Sequence, residues 1–535
     1  MTRSVLPDRI LSEGRLERSR IEKFGGYVRR ETCGGKDICE MKNMSTDNYP
    51  ALSARGSRRY LLNGSANEQP YTVNFAGAPI LSRGGSVYRL HEVDDALCEA
   101  EVIFSGADGA RRMAGIKNGV MILPDYIYYD LDTDTYTSMV VNTGIVRSAT
   151  IGTNTLRIEG LDLYDIGFRR GDGIRITSGG NLQSPLISGD YVLKSVMGDT
   201  CLIEGEFLTT GTFSIYIERY IPELEYLCAV GERIFGCMGN KIYACEEGNP
   251  FNWVGCKGKS SDPICIESSS QGDFTASALW QGYPIFFKRD RIAKLLGNGA
   301  SSYTLSETPA PGVPSGSSLS VASVAGMLYY HGAGGIYRYS GSYPQCISHD
   351  LAGRANGYSS AVGGSDGRKY YVSLKKTGAG TIFCVYDPDC ESWCIEDDSD
   401  IISMSGSAGV LYMLTRGGTV LAVGDTQAGV DEPYVKGLIS GYAGFGYDDC
   451  GVPDSKRLLR VYLNAYIPVS GSLSLYTEYD GEDTLHLEKK VAGSGKEEHI
   501  QIDIAPNRCH AFRIRIDTVG KCIIRSVTRE YRIMT

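Results

Sequence analysis

KYYVSLK (369–375) and TIFCVYD (381–387), separated by a Gly-rich turn, decide the reading of this chain. Each is a short aromatic and β-branched run bounded by turn residues, the signature of a strand in an antiparallel pair. The same texture recurs in TVNFAG (72–77), SVYRLHEV (86–93), GVMILP (119–124), YIYYDL (126–131), RIFGCMG (233–239), KIYACE (241–246), YPIFFK (283–288), MLYYHG (327–332), GIYRYSG (335–341) and VLYMLTR (410–416). Where these runs cluster they return every 8–12 residues or so, as strands of small sheets do. Composition agrees. Tyr (35) and Gly (66) are abundant and Trp (3) is scarce, and Tyr favours strands while Gly serves tight turns.

IYYDLDTDTY (127–136) and FCVYDPDCESW (383–393) share an aromatic strand, an acidic turn and a following aromatic. Four-stranded sheets repeated around an axis satisfy this pattern, so the expected body is a β-propeller over 61–139 and 221–430, with a series of β-sandwiches as the alternative. Residues 140–220 break the texture with about five short strands and Gly-Asp turns, and read as a small β-barrel inserted into a loop. Residues 431–455 read as a linker. Residues 456–535 alternate cleanly, as in AFRIRID (511–517), and predict a C-terminal, jelly-roll-like β-sandwich. At the other end, Ile10, Leu11, Leu16 and Ile21 form a thin apolar stripe that predicts a helix over 7–23, within an N-terminal arm and docking segment of residues 1–60. The fold class is therefore all-β, with a propeller-like body.

The 535 residues carry a formal net charge of −9, which argues against a dedicated nucleic-acid binder but suits a duct along which DNA must slide. Residues 1–60 hold 13 basic against 8 acidic side chains, so a basic segment sits on an acidic remainder and suggests docking on an acidic neighbour, or a solvated face. The 16 cysteines include no CxxC pair. The closest spacings are Cys390 with Cys394, Cys33 with Cys39 and Cys384 with Cys390. Cys228, Cys237, Cys384 and Cys522 lie in apolar strand contexts and read as free thiols in a reducing cytosol. Neither a signal peptide nor an apolar stretch of membrane-spanning length is present. The expected site of synthesis is the cytosol, with any exit from the cell by lysis or as part of a particle.

Candidate chemistry is sparse. His91, His331, His349, His486, His499 and His510 show no i,i+2 or i,i+4 spacing, so no local metal motif exists. GGSDG (363–367) matches GxSxG around Ser365, but a strand follows it instead of the helix a nucleophile elbow needs. Asp130, Asp132 and Asp134 have the first spacing of a calcium loop without its Gly or terminal Glu, and Asp387 with Asp389 reads as the same kind of turn. Tyr283, Trp253 and Trp280 would stack on sugars if exposed, and are more often core in such a chain. Glycosidase carboxylates come from distant strands and leave no local spacing. The expectation is no catalytic, cofactor or metal site.

Three stretches resemble a known family. NMSTDNYPALSARGSRR (43–59), IPELEYLCAVGERIFGCMGNKIYACEEGNPFNW (221–253) and FTASALWQGYPIFFKRDRIAKLLGN (274–298) are similar to tail proteins of phages and prophages of gut Firmicutes. These resemble the stabilisation or tail nozzle (hub) proteins of short-tailed phages. The inserted stretch from GDGIRITSG (171–179) through RYIP fits too. The resemblance implies a non-enzymatic virion protein, a ring, as a homohexamer, below the portal and adaptor, contact with other tail proteins and tail fibres, and passage of duplex DNA without sequence-specific binding. Two other readings stay open. One is a receptor-binding or fibre-anchoring propeller of the same virion, and the other is a glycan-degrading propeller enzyme.

Overall fold

The computed structural model describes residues 14–534 apart from 30–32, 66–67, 76–77, 94–96, 180–183, 352–356, 379, 408, 425–437 and 506. Seven sheets of four antiparallel strands follow one another along these residues. They begin at Pro70–Phe75, Arg112–Ile116, Glu225–Val230, Ala276–Trp280, Ala322–Val324, Ser360–Ser365 and Ile401–Ser407. Those first strands lie next to one another around the axis. Between blades 1 and 2 they are joined by the bonds from Thr72 Oγ1 to Arg111 O (3.2 Å) and from Asn74 Nδ2 to Met113 O (3.5 Å). Buried apolar residues of adjacent blades interdigitate at every junction, and Leu61, Val73, Leu81, Leu414 and Val420 close the ring between blades 7 and 1. The body is a seven-bladed propeller, all-β as the strand texture predicts.

Blade 7 is not built from one stretch of chain. Its fourth strand is Arg59–Leu62, which pairs antiparallel with Val420–Val423. The ring is thus closed by hydrogen bonds between residues some 360 positions apart, a long-range pairing whose loop entropy the rest of the fold must offset.

First strands come close at the axis, which is why Gly, Ser and Ala crowd them. A Cβ built on Gly406 would lie 1.8 Å from Ser365 O of the next blade, and one on Gly363 would lie 2.5 Å from Ser320 O.

Between blades 2 and 3 a closed barrel of six strands, from Asn142–Ile151 to Gly211–Arg219, has its own core of Leu156, Phe168, Ile174, Ile176, Ile215 and others. A short α-helix in it, Leu163–Ile166, starts where Asp162 accepts from the Tyr164 and Asp165 amides and stops at Gly167, whose φ of 117° is left-handed.

The C-terminal domain is a two-sheet sandwich with strands from both ends of the chain. One sheet orders Met44–Ser45, Leu52–Ala54, Ile523–Ile533, Lys456–Ile467 and Lys496–Asp503, with Arg15–Ile21 also on Ile523–Ile533. The other orders Ile38–Lys42, Ser440–Phe445, Phe512–Val519, Ser472–Tyr479 and His486–Ala492. Phe512, Ile514 and Ile516 point inward, as the alternation in AFRIRID predicts.

Two expectations are corrected. The helix over 7–23 is absent from its described part: Arg15–Ile21 is a strand, and residues 1–13 lie outside the described residues. Its thin stripe offers a helix little to bury, whereas the free edge of Ile523–Ile533 supplies a full ladder of partners. The projecting arm of residues 1–60 is instead, from residue 14 on, shared out between the sandwich and blade 7. Within the expected linker 431–455, Ser440–Phe445 is a strand held on both sides, by Ile38–Lys42 and Phe512–Val519; residues 431–437 lie outside the described residues.

Replacing Gly406 by Ala forces the first strands of blades 6 and 7 apart. Overpacking of this kind costs about 1–3 kcal/mol, so the urea unfolding midpoint of Gly406→Ala falls well below that of the unaltered chain, while Gly367→Ala, where nothing lies within 4 Å but φ is 93°, shows only the smaller backbone penalty.

Candidate functional site at the joints of the ring

Charged side chains drawn out of water mark the places where modules meet. The first is the passage of residues 43–62 from sandwich to blade 7. Asn43 donates to Ser440 O (2.8 Å) and accepts from Arg55 Nε (2.8 Å). Thr46 Oγ1 donates to Asp387 (2.6 Å), and Lys369 Nζ reaches Asp47 at 2.6 Å and Asp387 at 3.4 Å. Arg58, buried, holds Glu396 at 2.6 Å and Asp397 at 2.9 Å, with its guanidinium over the Phe383 ring. Burial by itself would raise the Asp397 carboxyl, but Arg58 overrides it and holds that group below the usual carboxylate value. The same carboxylates draw Arg58 further above its ordinary value despite burial.

The second joint seats the barrel. Arg219 pairs with buried Asp172 at 2.5 Å, donates to Gly167 O and Ser138 O, and covers the Phe251 ring. GNPFNW (248–253) completes it. Asn249 Nδ2 donates to Gly171 O (2.8 Å) in the barrel, Asn252 is fully buried and bonds Glu246 and Gly255, and Trp253 Nε1 donates to Pro250 O. At the third joint, between blades 3 and 4, Lys288 is 2% exposed and donates to Asn240 Oδ1 (2.6 Å), Ser268 Oγ (2.8 Å) and Ser270 O (2.8 Å). Burial lowers its pKa. No local motif announces Lys369, Lys288 or the Arg219–Asp172 pair, since each is defined by partners far away in sequence.

The axis is lined by the seven first strands. Among their residues only Arg112 and Glu225 are charged, and they approach each other to 3.8 Å. The bore is therefore near neutral. Neighbouring first strands approach within 8 Å, Cα to Cα, at most junctions of the ring.

Residues singled out in the sequence fall at scattered places. Ser365 Oγ accepts from the Gly367 amide in a hairpin turn. Asp130 accepts from the Asp132 and Thr133 amides, Asp132 from Asn118, and Asp134 from Tyr129 OH and Arg89, so the three carboxylates serve separate partners. Asp387 belongs to the clasp, and Asp389 donates its amide to Asp387. Trp253 and Trp280 are buried; Tyr283 is partly exposed and packs under Lys294. His91 faces Glu101, His486 sits by Tyr479, His499 bonds Asn464, His510 approaches Pro453 O and His349 lies in a short 3-10 turn. His331 bonds Ser317 Oγ at 2.9 Å, a Ser–His contact the sequence does not signal, but both are buried and sealed from substrate. Cys228, Cys237, Cys384 and Cys522 are buried, and burial pushes the Cys228 thiol up to about 12. No cluster of three metal-ligating side chains occurs among the described residues.

Arg58→Met removes the nearer cation from Glu396 and Asp397 and leaves them Arg55, at 3.8 and 3.6 Å. Loss of one partner of such a pair costs about 3–5 kcal/mol, read as a fall in the denaturation midpoint. Because Asp397 titrates below its usual 3.8, its contribution is present above that value and is lost as pH falls through the lower folded value. Asp397→Asn therefore shows a shallower loss of stability on acidification than the unaltered chain.

No family model matches the chain, and no curated protein does. Among solved structures it is similar to BamB from Moraxella catarrhalis, at 9% identity over 76% of this chain and 95% of that one, with a TM-score of 0.32. The extracellular domain of a hybrid two component system from B. thetaiotaomicron aligns at 10% identity over 91% of this chain and 64% of that one, TM-score 0.39. An exo-beta-1,3-galactanase from Phanerochaete chrysosporium aligns at 9% identity over 57% and 95%, TM-score 0.20.

Proposed function

We propose that the chain is a non-enzymatic structural protein of a bacteriophage tail. In this reading it forms a ring, a homohexameric nozzle or hub below the portal and adaptor, that seals and then conducts DNA during ejection. One observation carries the reading: the stretches by which the sequence resembles that family, besides strands of blades 3 and 4, contain residues at three joints of the fold. Residues 43–59 form the passage from sandwich to blade 7, GNPFNW seats the barrel, and GYPIFFK ends in the buried Lys288. Joint residues of this kind fix how the modules sit on one another. Function in such a protein rests on complementary surfaces more than on a reactive cleft.

In this reading the DNA path runs between copies of the chain, since the first strands of each propeller lie next to one another around its axis. Among the described residues no helix is long and apolar enough to cross a membrane.

Mass photometry of the purified chain and cryo-EM of virions test the proposal. The expected result is a closed multimer in solution and a ring on the tail axis with a lumen wide enough for a duplex. A strictly monomeric chain absent from the tail axis would overturn it, as would turnover of a polysaccharide by the purified protein. Three-fold copies on a fibre would transfer the chain to the receptor-binding reading.

A further inference from the structure

The outer face of the first sandwich sheet holds an arrangement of charge that a lone subunit does not explain. Its register places Leu16, Arg532 and Arg457 in one row across three strands. The neighbouring positions Tyr531 and Leu458 are buried, so the row faces solvent. The next outward row is a closed chain of ion pairs. Arg18 and Arg460 both hold Glu530, at 2.6 and 3.0 Å, and Arg460 also holds Asp503 at 2.9 Å. Those carboxylates are therefore committed. Arg457 and Arg532 stand directly opposite each other, both exposed, with no acidic partner among the described residues. Like charges at directly opposed positions destabilise a sheet. Among the described residues no carboxylate offsets this pair.

An acidic element lies at the same end of the sandwich but on the other sheet. The turn Asp480–Gly481–Glu482–Asp483 leaves Ser472–Tyr479 fully exposed. Both ends meet the segment 509–512: Lys456 N donates to Cys509 O and Asp480 N to Ala511 O. Asp480 is used internally, accepting from the His510 and Ala511 amides at 2.8 Å. Asp483 has no cationic partner and Glu482 has only His486, at 3.9 Å, among the described residues. Among the described residues no ion pair joins the arginine row to this turn.

We infer that the Arg457–Arg532 row docks on the Glu482–Asp483 turn of a second copy of this chain. This rests on the ring reading and names its contact. One patch meeting a different patch is a heterologous interface when the contact is not reciprocated, and its repetition gives a ring where the rotation closes. Charge complementarity favours a second copy, since the chain is net acidic at −9 and the row is a concentrated basic exception.

The test uses full-length chains in mass photometry, with thermal melts to show that these exposed substitutions leave folding intact. Variant one is Arg457→Glu with Arg532→Glu, and variant two is Glu482→Lys with Asp483→Lys. Each alone sets like charges together and runs as a monomer at concentrations where the unaltered chain assembles. Mixed in equal amounts, they pair every reversed surface with a complementary one and recover the assembly. Raising salt from 50 to 500 mM dissociates the unaltered multimer. Variants that assemble like the unaltered chain, or a mixture that stays monomeric, would overturn the inference and leave the ring reading standing. An unaltered chain that is monomeric throughout would sink both. If variant one instead loses only binding to a fluorescent duplex while still assembling, the row serves nucleic acid and the inference fails.

Discussion

Ring closure is the constraint on which the rest of this protein depends. A propeller must join its last blade to its first, and here the closing strand, Arg59–Leu62, comes from the start of the chain and pairs with Val420–Val423. The segments that flank the closure on both sides enter the same sandwich. Residues 15–54 and 440–533 interleave there, strand against strand, so the ends of the ring are tied twice. Opening the propeller requires breaking the blade 7 ladder and the sandwich together. The sandwich is in this sense a clasp, and its core is continuous with that of blades 5 and 6, where Tyr329, Tyr370 and Trp393 pack in the same cluster as Phe445, Leu458 and Phe512.

Buried ions secure the joints where hydrophobic packing alone would leave orientation open. Arg58 with Glu396 and Asp397, and Lys369 with Asp47, join elements far apart in sequence, while Arg219 pairs with Asp172 inside the barrel and reaches Ser138 O of blade 2. Such pairs add little net stability relative to a well-packed apolar alternative, but removal of one partner is costly. They therefore act as geometric keys. A module shifted from its seat strands a charge, and that penalty restricts how barrel, blades and sandwich can sit. The Ser317–His331 hydrogen bond is likewise buried.

Much of the architecture was legible in the residues, and the misreadings have a common cause. Period-two alternation in AFRIRID and the aromatic hairpins of blades 4 to 7 report local burial, which a sequence displays directly. Residues 15–21 were misread because an edge strand rich in arginine carries almost no burial signal of its own; its partners Ile523–Ile533 lie more than 500 residues away. Ser440–Phe445 (SGYAGF) likewise reads as linker by its glycines and becomes a strand only because two neighbours need small residues there. Gly441 lies so close to Lys42 O and Asn43 O that a Cβ would meet each at 2.9 Å. At the candidate site, Arg58 and Asp387 were visible as charges in turns and loops, but not as joints.

The amino-acid sequence by itself determined the secondary structure class, the approximate modularity and the scarcity of reactive motifs. These depend on composition and short-range periodicity, which are properties of neighbouring residues. Only the tertiary structure decided the number of blades, the strand that closes the ring, the partnership of the two termini and the pairing of each buried charge. Those depend on contacts between residues hundreds of positions apart, where the loss of chain entropy on closing a loop is set against packing that no local window contains.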